Sequence, residues 1–131
     1  MPCDAPPAIV RIQDDHGGEI GRYLAQAGLF RACHARPRIG GACFSACTIY
    51  LGVPGACAEP TAVFGFHAAY YPGQFGAPPD ALVAGATAAM LSSYPAAIKA
   101  WLGHRLSVGM RYLPAWRAAR MGAVPLCRKW E

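Results

Sequence analysis

The chain has 131 residues, of which 54% are apolar and 15% charged. That balance excludes a disordered chain, and the length suits one α/β domain with a core of its own. No run reaches the roughly 18 consecutive apolar residues of a membrane span, so no transmembrane segment is expected. The net charge of +5 is uneven: residues 81–130 carry no acid, while Lys99, Arg105, Arg111, Arg117, Arg120, Arg128 and Lys129 all fall there. These cations are not interleaved with aromatics in a known binding pattern, so a solvated helical face is expected and no nucleic-acid partner.

Six cysteines, Cys3, Cys33, Cys43, Cys47, Cys57 and Cys127, make an even count at high density. None forms a C-x-x-C pair. Cys43 and Cys47 lack an answering Cys or His pair, so a zinc site is not expected; neither metal nor cofactor is implied. A disulfide framework formed in an oxidising compartment fits better, with the pairing open. Cys43, Cys47 and Cys57 are candidates to staple the segment around Ser45 to a neighbouring strand. Cys127 is expected to tie down the C-terminal tail, with Cys3 or Cys33 as candidate partners. Residues 1–7 form an N-terminal extension without the basic and apolar regions of a signal peptide. With the cysteines, this leads to the expectation of a periplasmic or secreted chain whose signal is absent from this sequence.

In chain order, Ala8-Ile9-Val10-Arg11-Ile12 reads as a strand after Pro6-Pro7, followed by the polar turn Asp14-Asp15-His16-Gly17-Gly18. Residues 19–26 form a helical pattern with Ile20, Tyr23 and Leu24 on one face and Gly28 as its stop. A second strand is expected over residues 36–39, weakened by Pro37, before Gly40-Gly41 turns the chain. Residues 45–51 read as a short buried helix ended by Gly52 and Pro54. Brief strand character at residues 56–58 and a firmer strand over 61–66 follow, so residues 8–70 alternate strands and helices as a mostly parallel sheet requires. Residues 70–79 read as a loop with exposed aromatics. Asp80 caps a helix over 81–91 that buries Leu82, Val83, Ala86 and Met90. Pro95 opens a helix over 96–102, and a last one covers 114–121. Residues 80–131 are thus expected to be helical.

The chemistry centres on Gly41-Ala42-Cys43-Phe44-Ser45-Ala46-Cys47-Thr48 and on Val63-Phe64-Gly65-Phe66-His67. A serine hydroxyl needs a base and oxyanion donors to act as a nucleophile. Ser45 stands at a helix start, where the Ala46 N–H is a candidate donor; Gly17-Gly18 lets a second backbone N–H approach; His67 ends a strand as a candidate base. Taken singly, Ser45 reads as a helix cap and His67 as a core histidine. A Cys43 thiol is a weaker candidate nucleophile, and His34 and His104 read as surface residues.

Three segments together resemble the ClpP/crotonase-like superfamily. Asp15-His16-Gly17-Gly18 is similar to the S-P-G-G turn of ClpP-type proteases. Residues 41–46 resemble their G-x-A-A-S-M segment, and residues 57–67 resemble their L-P-N-S-R-V-M-I-H strand, in the same order. The wording around the cysteines also resembles small bacterial periplasmic proteins of this superfamily. The resemblance implies a spiral of ββα units with Ser45 as nucleophile and His67 as base. Backbone N–H groups of Gly18 and Ala46 would form the oxyanion hole, and Gly17, His16 and Tyr70 would line the groove. It also implies a peptide or protein substrate added as a strand at the sheet edge, and a homo-oligomer. Beyond His67 the acids are Asp80 and Glu131, and the chain has no asparagine. A Ser–His dyad, or a histidine steadied by a backbone carbonyl, is therefore expected. The alternative is a catalytically inactive domain that binds a partner in the same groove.

Overall fold

A computed structural model describes residues 3, 8–69 and 80–129. It is a mixed α/β structure built on a five-stranded sheet of order β1-β2-β4-β5, with β3 beside β2. The elements are β1 (Ile9–Asp15), α1 (Ile20–Ala32), β2 (Arg36–Phe44), a 3₁₀ helix (Ser45–Gly52), β3 (Cys57–Ala58) and β4 (Val63–Phe66). They are followed by α2 (Asp80–Ser92), α3 (Ala96–Leu102), β5 (Arg111–Pro114) and α4 (Ala115–Arg120). β1, β3 and β4 run parallel to β2, and β5 is antiparallel to β4. The last strand corrects the expectation of a wholly helical C-terminal half. Four residues with one buried side chain, Leu113, carry too little alternation to announce a strand.

Two other boundaries moved. α1 runs past Gly28 to Ala32, because Ala27 and Phe30 bury themselves in the core, which outweighs the ~1 kcal/mol a helical glycine costs. β2 runs through Pro37 and Gly40-Gly41 rather than turning there. Arg36 donates its N–H to Ala8 of the β1 side, so strand alternation turns the Pro37 nitrogen away from β1. On that far side pairing with β3 begins only at Arg38, and no ladder bond is lost.

β1 also outlasts its predicted end, and a bulge explains the polar residues it absorbs. Gln13 pairs with Gly40 but Asp15 pairs with Cys43, so β2 has one residue more than β1 over this step. Asp14 and Gly41 take positive φ values of 49° and 64°, and the Asp14 carboxylate accepts the Ala42 N–H at 3.0 Å. Beyond the bulge Asp15 turns to the side of α1, where Val10 and Ile12 already pack against the core.

The core lies between that face of the sheet and the helices. Ile39, Phe64, Phe66 and Leu113 meet Ile49 of the 3₁₀ helix, Met90 of α2 and Ile98 of α3, all essentially fully buried. Met90 keeps its predicted burial, Ala86 is half-buried, and the side chains of Leu82 and Val83 lie outside the described residues, as does that of Asp80. Pro95 stands immediately before α3, as read from the sequence.

Three disulfides join Cys3–Cys33, Cys43–Cys47 and Cys57–Cys127. The tail is tied down as expected, but to Cys57 and not to Cys3 or Cys33. The parallel bridge between Ala58 and Leu126 brings the tail alongside β3. Three disulfides fit an oxidising, extracytoplasmic compartment, and no helix among the described residues is long and apolar enough to cross a membrane.

The bridges are expected to differ in weight. Cys57–Cys127 spans 70 positions and Cys43–Cys47 spans 4, so loop-closure entropy assigns them about 4 and about 2 kcal/mol. Urea unfolding of the paired alanine variants should reproduce that order, and thiol titration of the unfolded, unreduced chain should find no free thiol.

Candidate functional site

The carboxyl ends of three neighbouring parallel strands carry the residues singled out above. β1 leads into His16-Gly17-Gly18, β2 into Ser45, and β4 into His67. Phe44 is the Cα partner of Gly65, so Ser45 stands level with Phe66, one residue before His67. The order β1-β2-β4 puts Ser45 between the glycine turn and the histidine strand. Carboxyl ends of parallel strands are where α/β folds bind ligands.

The backbone of Ser45 is unusual. It takes φ = 58°, in the left-handed region that disfavours residues other than glycine by about 1–3 kcal/mol. A strand thereby turns sharply into a helix with a serine at the corner, the geometry by which nucleophile elbows expose a hydroxyl. Gly17 packs directly against it: a Cβ on Gly17 would lie 2.8 Å from the Ser45 Cβ and 3.0 Å from the Ala46 nitrogen. Gly17 itself has φ = 95°, so glycine is required there for both conformation and space.

The turn is fixed from below. The Asp15 carboxylate accepts the Gly17 N–H at 2.9 Å and the Tyr23 hydroxyl at 2.7 Å through the same oxygen. The Gly17 N–H is thus used structurally, and Gly18 supplies the next N–H along. Burial, followed by the bond to Asp15, raises the Tyr23 hydroxyl well above the ordinary phenol range. Tyr50, which packs against Tyr23, is raised by burial and by the charge of Asp15.

On the other side of Ser45, His67 is half-buried, and its Nδ1 lies 2.7 Å from the Ala68 carbonyl oxygen. A carbonyl only accepts, so Nδ1 is the donor in this bond. The His67 ring is thus held by the carbonyl of the next residue. Within the 3₁₀ helix Thr48 donates its hydroxyl to the Ser45 carbonyl at 2.6 Å.

His16 is exposed and stacks on Phe44, with centroids 5.2 Å apart, and Phe44 meets Tyr112 of β5 edge-on at 5.6 Å. An aromatic strip thus runs beside the glycine turn. Tyr70 lies outside the described residues. Cys43 is disulfide-bonded to Cys47, so the weaker thiol-nucleophile reading is corrected. His34 and His104 are exposed. A separate surface pocket of about 490 Å³ is lined by Ile9, Arg36, Gly55, Cys57, Pro125, Leu126 and Arg128. It opens at the amino ends of β1, β2 and β3, away from Ser45.

Sequence reading missed the bracing roles of Asp15, Tyr23 and Thr48. Asp15 had a signal, since an Asp two residues before a glycine favours a side-chain-closed turn. Thr48 had one in its position three residues into a helix that begins at Ser45. Comparison with models of known protein families and with curated proteins finds no match to this chain.

The half-buried Tyr23, the buried Tyr50 and the buried Tyr94, whose hydroxyl meets that of Thr48, give the site a pH signature. Burial raises Tyr94, as it does Tyr23 and Tyr50, above the ordinary value of 10.0. The folded state therefore holds these protons more tightly than the unfolded chain. Their contribution is fully present below pH 10 and is lost as pH rises toward the folded values. The urea midpoint should fall above about pH 10, and Tyr94→Phe should flatten that decline.

Proposed function

We propose that this chain is a serine hydrolase acting on peptides, with Ser45 as nucleophile and His67 as general base. The observation that carries the reading is the left-handed Ser45 at a strand end, between a glycine turn and the strand end bearing His67. The three motif segments support a ClpP/crotonase-like spiral, and the disulfides support a periplasmic or secreted location.

In this reading His67, with its Nδ1 proton engaged by Ala68, takes the Ser45 proton on Nε2. Ser45 Oγ forms a bond to the substrate's acyl carbon while the carbonyl π bond opens to an oxyanion. The N–H groups of Gly18 and Ala46 receive that charge. Collapse expels the amine, which takes the proton from His67, and water repeats the sequence on the acyl-enzyme. A peptide reaches the site as an added strand on β1, which pairs only with β2 among the described residues. The aromatic strip of His16, Phe44 and Tyr112 forms one wall.

A neutral carbonyl stabilises the imidazolium less than a carboxylate does, so turnover is expected to be slow relative to full triads. A fluorophosphonate probe should label the folded wild type and not Ser45→Ala. His67→Ala should slow labelling by about 10²–10⁴-fold, the usual weight of a general base. A folded wild type that resists the probe would overturn the hydrolase and leave the non-catalytic binding domain.

A further inference from the structure

Thr48 and Tyr94 take no part in the chemistry above, yet they form a directed chain that ends on the nucleophile's own peptide group. Both are buried, Thr48 at 0% and Tyr94 at 3% exposure. Thr48 gives its one hydroxyl proton to the Ser45 carbonyl at 2.6 Å. Its contact with the Tyr94 hydroxyl, also 2.6 Å, must then run the other way, with Tyr94 donating. The order is Tyr94 to Thr48 to Ser45 carbonyl.

That carbonyl belongs to the same planar peptide as the Ala46 N–H. In a trans peptide the two point in opposite directions, so a bond that fixes one aims the other. Turning this peptide would break the Thr48 bond and swing the Ala46 N–H off its line. The Tyr94 ring also meets Phe66 edge-on, with centroids 5.3 Å apart and planes at 88°. Phe66 is the residue before His67, so one side chain braces both strand ends. Tyr94 lies in the turn between α2 and α3, which couples the helical half of the chain to the site.

We propose that Tyr94, acting through Thr48, is a positioning residue that orients the Ser45–Ala46 peptide and so aims the Ala46 N–H at the developing oxyanion. This rests on the reading of Ser45 as nucleophile. It has a distinct signature, because a misaimed oxyanion donor slows the chemical step without weakening binding.

Two measurements test it on the full chain with its disulfides intact. In saturation kinetics with a fluorophosphonate, Thr48→Val should lower the maximal labelling rate by about tenfold or more, with the half-saturating concentration unchanged. Thr48→Ser keeps the hydroxyl and should recover to within about threefold of wild type. Tyr94→Phe keeps the ring on Phe66 and should show a smaller loss than Thr48→Val. Independently of activity, the Ser45 carbonyl ¹³C resonance should shift upfield in Thr48→Val and return in Thr48→Ser. An unmoved carbonyl resonance, or a folded Thr48→Val that labels at the wild-type rate, would overturn the relay. An unlabelled wild type would instead overturn the hydrolase reading, and the carbonyl resonance would still report whether Thr48 holds the Ser45 peptide.

Discussion

The Ser45–Ala46 peptide is the constraint to which the rest of the structure answers. A serine at φ = 58° persists only where its surroundings over-determine it. Here they do so from several directions. Gly17 fills the space beside the Ser45 Cβ with backbone alone, Thr48 holds the carbonyl, and the Cys43–Cys47 bridge closes the chain across the corner. Each acts over a short distance, and each is supported by something remote: Asp15 and Tyr23 behind the glycine turn, Tyr94 behind Thr48. The corner is a small, dense knot at the carboxyl end of β2, where Ser45 itself is half-buried.

The histidine side of the knot follows a different economy. A His67 ring whose Nδ1–H is taken by the next residue's carbonyl needs no distant acid to fix its tautomer. The arrangement secures orientation, which is one of the two services a carboxylate provides, and omits most of the other, stabilisation of the charged ring. In the proposed hydrolase more of the burden would fall on the backbone donors, and the accuracy of their aim would matter correspondingly. That is why a buried tyrosine-threonine pair with no reacting atom is of interest.

The basic C-terminal region is organised by packing as well as by solvent. The Arg111 guanidinium lies 4.3 Å from the Trp101 ring centroid, and Arg117 approaches the same ring at 5.9 Å. Trp101 in turn packs on Phe66. Cations that read in sequence as an undivided solvated face are thus partly engaged in the layer that supports the His67 strand. The guanidinium groups cover aromatic surface there.

Much of the architecture was legible in the chain. β-Branched and aromatic residues around Val63 to Phe66, a helical stripe from Ile20 to Leu24, and Pro95 before Ala96 are local signals, and the elements they announce formed there. The glycine turn, the small-residue corner at Ser45 and the strand-ending His67 were likewise marked by residue type and order. What the sequence could not contain were decisions made by distant partners. Gly28 ended no helix because Phe30 had a core to enter, and Pro37 broke no strand because its nitrogen faces away from β1. A bulge opposite Asp14 turned Asp15 inward to brace the turn, and Cys127 met Cys57 because the tail runs beside β3. Thr48 and Tyr94 are 46 positions apart, and nothing in either residue's neighbourhood announces the other. Sequence marked the groups on which the proposed chemistry rests; only the tertiary structure decided which buried hydroxyls hold the Ser45 carbonyl, because a buried hydrogen bond requires both partners to be brought together out of water.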